Sequence, residues 1–357
     1  MKTQLFYHNK PIFGLDIGSQ TVKFLQLEKH GAGAEVKAYG SIATDAKIME
    51  NGIIQNIPKA AELVDELLAN HTVGKLTTNR VVMSIPVSRV YTRVMTLPNM
   101  SRKELDSAVQ LEVEQSVPLP GKDLYYDYEI TDVGDENNML VRMVASPRAI
   151  VDSYAGVCDL LGLDLSLVQT NIRADAQLCL LYENMASDSP YIIVDVGGDS
   201  IDVGILDKTL RVTGTVEEGG NSLTEAIARQ LHLSPSKAQA LKVTKGIAAS
   251  TNQKKMIEAV SPILDKVVAE INRMAKFYDE RVQEGSEISQ ILIVGGGANM
   301  PGLGDYLTNA THTPARVSAP WGSHISFGKL EPPELANLPR FLTCAGLALT
   351  SNEEIFK

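Results

Sequence analysis

The sequence predicts an α/β protein built from two similar lobes, with a small α+β unit inserted between parts of the first. Three observations lead there: a repeated strand, glycine turn and strand; apolar residues at helical period between the strands; and a middle stretch patterned unlike either repeat. The first copy, Phe13-Gly14-Leu15-Asp16-Ile17-Gly18-Ser19-Gln20-Thr21-Val22, alternates into Lys23 to Leu27 and reads as two strands about a tight polar turn. The second, Ile193-Val194-Asp195-Val196-Gly197-Gly198-Asp199-Ser200-Ile201, runs on to Leu206. One offset relates Asp16 to Asp195, Gly18 to Gly197, Thr21 to Ser200 and Val22 to Ile201. Each copy adds a third strand, at Glu35 to Ala43 and Leu210 to Val216.

Between these strands, Leu63, Val64, Leu67 and Leu68 form one stripe of a helix over Pro58 to Asn70. Leu264, Val267, Val268, Ile271, Ala275 and Tyr278 do the same over Ser261 to Arg281. Ser146-Pro147 and Ser234-Pro235 read as helix starts, and Ser222 with Glu225 as a capping box. From Arg80 to Leu165 the order becomes strand (Arg89 to Thr96), helix (Arg102 to Gln115), strand (Tyr125 to Thr131), strand (Met139 to Ala145) and helix (Pro147 to Leu161), the expected insertion.

The chain has 357 residues, a net charge of -10 and 44% apolar residues. It is long enough for two cores, and its acidity with no Lys/Arg block argues against nucleic-acid binding. Cys158, Cys179 and Cys344 lie far apart in apolar helical contexts, as buried thiols in a reducing compartment do. No secretory leader and no membrane-spanning run are read from the sequence, so any membrane contact is expected through a partner.

Asp16-x-Gly18-Ser19-Gln20-Thr21 has the composition of a phosphate-holding turn. Glycine admits close approach, turn amides and hydroxyls donate to oxygens, and the aspartate holds Mg²⁺ through water. Alone this is an ordinary polar hairpin; its duplicate at Asp195, with Gly197, Gly198, Asp199 and Ser200, places two carboxylates at equivalent points of facing lobes, where both can serve one hydrated Mg²⁺. A third element is the apolar strand Ile291 to Val294 ending in Gly295-Gly296-Gly297-Ala298-Asn299, where a base or ribose can lie against backbone. A fourth is Glu218-Gly219-Gly220-Asn221, whose glycines precede a helix N-terminus. Tyr125, Tyr126 and Tyr128 can form part of a peptide groove and Met95, Met100, Met139 and Met143 an adaptable interface, but alternating aromatics and methionines read first as packing residues, as does Trp321.

With these four elements in this order the chain resembles the superfamily of actin, sugar-kinase and heat-shock-chaperone ATPases, and within it the type IV pilus assembly PilM family, related to the cell-division protein FtsA. The resemblance rests on Gly14 to Ser19, on Glu112-Val113-Glu114-Gln115-Ser116-Val117-Pro118-Leu119-Pro120 with Tyr126-Asp127-Tyr128, on Ala145-Ser146-Pro147, and on Gly219 to Ala228. It extends to Gly296 to Leu303 and the closing Ala345-Gly346-Leu347-Ala348-Leu349. It implies an actin-like (ribonuclease H-like) fold. The first lobe would take residues 1–87 with 164–188 and 338–357, the insertion 88–163, and the second lobe 189–337 with a helical subdomain over 217–285.

It also implies ATP and Mg²⁺ as cofactors and a place at the cytoplasmic face of the inner membrane. The partner implied is the N-terminal tail of a PilN-like membrane protein, gripped between the first lobe and the insertion, with pilus motor ATPases and further copies of the chain as additional candidates. Lys242 is expected beside the adenine, and Asn171 to orient water where relatives carry a glutamate. An amide is a poor base and Asp199 is an anion near the phosphates, so ATP is expected to bind with slow or negligible turnover. The competing readings are an FtsA-like membrane tether, against which the short acidic segment Thr350 to Lys357 speaks, and a small-molecule kinase on the same fold.

Overall fold

The computed structural model describes residues 10–44, 48–133, 138–183, 189–281 and 287–351. The C-terminal residues 352–357, expected to make no membrane helix, lie outside the described residues. The chain begins with the antiparallel meander β1 (Phe13–Ile17), β2 (Thr21–His30) and β3 (Gly33–Ala43), followed by a short hairpin, β4 (Met49–Glu50) and β5 (Ile53–Ile54). Helix α1 (Ile57–Asn70) starts where Asn56 caps the Lys59 amide and Pro58 occupies the first turn. Then come β6 (Thr72–Gly74), β7 (Arg80–Ile85), β8 (Tyr91–Pro98), α2 (Arg102–Ser116), β9 (Leu124–Val133), β10 (Asn138–Pro147), α3 (Arg148–Leu161), β11 (Asp164–Thr170) and α4 (Asn171–Tyr182).

The second half repeats the meander as β12 (Tyr191–Val196), β13 (Ile201–Asp207) and β14 (Thr209–Val216). It continues through α5 (Gly220–Leu231), α6 (Pro235–Thr244), α7 (Gln253–Arg281), β15 (Gln290–Val294), α8 (Leu303–Thr311), β16 (Ala315–Val317) and β17 (Ile325–Ser326). A 3₁₀ segment, Leu335–Phe341, leads into α9 (Leu342–Ala348).

The repeat seen in the sequence is a repeat of topology. In the first sheet, ordered β11-β7-β1-β2-β3-β17, β7 joins the meander parallel to β1. In the second, β14-β13-β12-β15-β16, β15 joins parallel to β12. The inner faces of both sheets are apolar, and α4 and α9 lie between them: Leu25, Val36, Ile193 and Leu292 share one core with Ile172, Cys179, Leu342 and Ala345. The two helices cross at Gly346, where a Cβ would stand 2.0 Å from the Ala174 carbonyl oxygen. Any side chain there would force the two helices apart.

A separate core, with Leu105, Val109, Val113, Val141 and Met143, joins α2 to the three-stranded sheet β8-β10-β9. Leu105, Val109 and Val113 lie at helical spacing on the buried face of α2, and a capping box at Ser101 and Glu104 starts the helix. The methionines behave as packing residues: Met139 and Met143 are buried, and Met95 and Met100 pack against the same core.

The structure departs from the sequence reading in five places. Helix α3, read as part of the inserted unit, buries Ile150, Tyr154, Val157 and Cys158 in the core of β1, β7 and α1. Strand β17, read within the second lobe, pairs parallel with β3 of the first sheet. Helix α7 starts at Gln253 rather than Ser261 and runs through Pro262, because Met256 and Val260 extend the buried stripe and offset the lost hydrogen bond. Ser146 caps nothing, since β10 continues to Pro147; nor does Ser222, since α5 begins earlier, behind Gly219.

Candidate functional site

The β1–β2 and β12–β13 turns are built alike. The Gly18 amide donates to the Thr21 carbonyl at 3.0 Å, and the Gly197 amide donates to the Ser200 carbonyl at 3.0 Å. Each turn also has its carbonyls tied back. Thr44 donates through its amide to the Gln20 oxygen and through its hydroxyl to the Ser19 oxygen, while the Gly220 and Asn221 amides at the start of α5 donate to the Gly197 and Gly198 oxygens. The amides of Ser19, Gln20, Gly198 and Asp199 have no protein acceptor among the described residues, which leaves donors in both turns for an anion. The turns face one another: a Cβ on Gly198 would lie 3.1 Å from Ser19 Oγ and 3.2 Å from Gln20 Cγ.

Hairpin register sets what stands opposite each aspartate, and the lobes differ there. Asp16 is paired with Lys23, whose ammonium lies 2.6 Å from its Oδ2, while Ser84 donates to its Oδ1 at 2.7 Å. Burial is the largest single influence on Lys23 and disfavours its charge, but Asp16, together with smaller contributions from Cys344 and Asp195, holds that pKa above its ordinary value. At the equivalent register Asp195 faces Asp202, a like charge. Asn171, the first residue of α4, intervenes: its side-chain amide donates to Asp195 and to Asp202, each at 2.8 Å, and its oxygen accepts from the Val87 amide at 3.0 Å. Burial, then repulsion from Asp202, pushes the Asp195 carboxyl up to about 7.

One turn further along α4, Asp175 is fully buried. Thr343 of α9 donates to its Oδ1 at 3.0 Å, and its Oδ2 has no partner among the described residues. Burial first, then Asp195, raises its pKa well above the usual carboxylate range.

The glycine-rich strand end closes the site from the second lobe. Gly295 has φ +85°, and a Cβ there would stand 2.1 Å from Asp195 Oδ1, so this position admits only glycine beside the carboxylate. A Cβ on Gly297 would meet the Val196 side chain at 2.3 Å. Asn299 points to the rim, donating to the Ala336 oxygen at 2.8 Å. Lys242, expected to flank a base, is instead buried under the start of α5 and donates to the Gly220 oxygen at 2.6 Å and to Thr224 Oγ1 at 2.8 Å. Burial, with a smaller contribution from Arg340, lowers its pKa to about 8. Asp199, the anion expected to oppose phosphate, has its carboxylate held by the Asn221 amide at 2.7 Å.

Sequence reading brought Asp16, Asp195, both turns and the strand-end glycines to one place. It missed Lys23 and Asp202, which hairpin register alone puts opposite the two aspartates. It also missed Asp175, whose only signal was a carboxylate among Ala174, Ala176, Leu178 and Cys179. An Mg·nucleotide fits these residues: unpaired turn amides face the gap for phosphate oxygens, and Asp195 is a buried carboxylate whose ionisation a cation would favour.

The chain is similar to cell division protein FtsA of Enterococcus faecalis, 25% identical over 176 residues, which cover 44% of this chain and 38% of that relative. Its fold matches a structure titled "PilM-PilN type IV pilus biogenesis complex" with TM-score 0.81 at 23% identity, covering 96% of this chain and 98% of that one. It also matches MreB 5 of Spiroplasma citri bound to AMPPNP, TM-score 0.53 at 12% identity, covering 98% and 97% of the two chains. The fold is therefore actin-like. The model of the family described as type IV pilus assembly protein PilM matches residues 14–352, and the chain belongs to that family.

Proposed function

We propose that this protein is a nucleotide-binding adaptor of a type IV pilus assembly platform, peripheral to the inner face of the cytoplasmic membrane. It would hold Mg·ATP between its two turns and the N-terminal tail of a PilN-like membrane protein beside its insertion. The observation that carries the reading is the pair of matched turns with free amides and facing aspartates, set in a chain of the PilM family. When bound, Mg·ATP would supply a polyanion and cation that bridge the lobes. Asp16 and Asp195 would hold the cation through water, the Ser19, Gln20, Gly198 and Asp199 amides would hold phosphate oxygens, and Gly295 to Gly297 would border the base or ribose. Among the described residues no helix is long and apolar enough to cross a membrane, in keeping with attachment through a partner.

Two features support a binding rather than a catalytic role. Asn171 spends both amide protons on Asp195 and Asp202, and its oxygen on Val87. It is a clamp, so slow turnover follows. The insertion also presents aromatic surface: Tyr91, Tyr125 and Tyr126 are exposed, and Arg148 lies 4.0 Å over the Tyr125 ring. Helix α4 joins the two regions, since Asn171 reaches the aspartates while Arg173 pairs with Glu129 of the insertion at 3.3 Å. Calorimetry with Mg·ATP and with a PilN-like tail peptide tests the reading. Tight ATP binding with no affinity for any tail from the same operon would remove the adaptor role.

A further inference from the structure

Arg340, on the 3₁₀ segment before α9, stands between Gly296 of the second lobe and Thr21 and Lys23 of the first, and has no hydrogen-bond or ion-pair partner among the described residues. Its side chain lies along the strand-end glycines: a Cβ on Gly296 would be 3.5 Å from Arg340 Cγ and 3.7 Å from Nε. On its other side it lines a cleft of about 180 Å³ with Thr21, Lys23, Tyr39, Ser41 and Asn337. Glu334, an exposed carboxylate that accepts from the Asn337 amide at 3.5 Å, borders the same cleft at its rim. Arg340 also lies close enough to Lys242 to disfavour that ammonium's charge.

The Arg340 guanidinium carries five donors and no acceptor, and none of the donors is met by a described residue. An anion entering the gap beside Gly296 would satisfy them. The surroundings specify which part of a nucleotide that anion is, because Thr21 and Lys23 belong to the first phosphate turn and its strand, and Lys242 supports Gly220 at the second. We propose that Arg340 is a phosphate-binding residue, closing on the phosphate chain of the bound nucleotide from the C-terminal segment. This rests on the nucleotide reading above and assigns to that site a residue that no sequence motif marks.

The segment has a built-in reporter. Phe341 packs on Tyr39 with ring centres 5.5 Å apart, Tyr39 on Phe327 at 5.5 Å, and Phe327 on Trp321, the chain's single tryptophan, at 5.6 Å. Phosphate capture by Arg340 would move Phe341 and so the Trp321 emission.

The test is calorimetric titration of the full chain with Mg·ATP, Mg·ADP and adenosine, in the native protein, R340K and R340Q, with Trp321 fluorescence followed in parallel. R340Q is expected to lose about tenfold in affinity for ATP and ADP, to hold adenosine unchanged and to lose the emission change. R340K retains part of each, and melting without nucleotide does not fall in either variant. Native-like ATP binding by R340Q would overturn the proposal and leave the nucleotide reading standing. Equal losses for adenosine and ATP would place Arg340 on the base and overturn it as well. A native chain that binds neither ATP nor ADP would remove the nucleotide reading itself.

Discussion

Asn171 donates to Asp195 at 2.8 Å from the first turn of α4, joining the helix between the sheets to the aspartate of the second lobe. The same amide group reaches Asp202, so one neutral side chain separates two buried carboxylates. Replacing it with alanine leaves both without that donor. Asn171→Ala is expected to destabilise the nucleotide-free protein by about 1–3 kcal/mol, with Mg·ATP restoring part of the loss; differential scanning fluorimetry with and without ligand measures both.

Asp195 also predicts a pH dependence. Its folded-state pKa of about 7 lies above the ordinary 3.8, so between these values the folded protein binds more protons than the unfolded chain. Stability therefore falls as pH rises through that window, and the cost is complete above about pH 7. Asp195→Asn removes it. The variant is expected to melt higher than the native protein at pH 8, to gain little at pH 4, and to lose Mg-dependent nucleotide binding.

Neighbouring glycines should respond differently to one added methyl. At Gly295 a Cβ would stand 2.1 Å from Asp195 Oδ1 on a backbone with φ +85°. Gly295→Ala is therefore expected to cost about 1–3 kcal/mol and to abolish nucleotide binding. At Gly296 the nearest atoms belong to the Arg340 side chain at 3.5 Å. Gly296→Ala should melt within about 0.5 kcal/mol of the native protein, as chemical denaturation can check.

Glu129 holds the insertion to the body of the molecule. It accepts from Arg142, which is 4% exposed and also donates to the Leu210 oxygen of β14, and it pairs with Arg173 of α4. Removing it leaves the buried Arg142 guanidinium without its carboxylate; because Glu129 itself is 35% exposed, the expected loss is about 1–3 kcal/mol. Glu129→Ala should raise hydrogen exchange in β9 and β10 and weaken tail-peptide binding while sparing Mg·ATP affinity. Unchanged exchange would show that the network does not hold the insertion in place.

The sequence by itself determined what depends on contiguous residues. A strand, glycine turn and strand close their own hydrogen bonds, so the Gly18 and Gly197 turns, the meanders they start and the helical stripes were legible from period and turn chemistry. Hairpin register also places Lys23 opposite Asp16 and Asp202 opposite Asp195, one pair beyond the residues that close each turn. Tertiary structure decided what depends on elements meeting from far apart. Cores chose the lobe for α3 and β17, since an amphipathic pattern states that a face is buried and not against what. Packing of α4 and α9 between the sheets buried Asp175 and drew Asn171 onto two aspartates, and the returning C-terminal segment set Arg340 over Gly296. Burial and facing charge fix the chemistry of those groups, and both are properties of the assembled lobes.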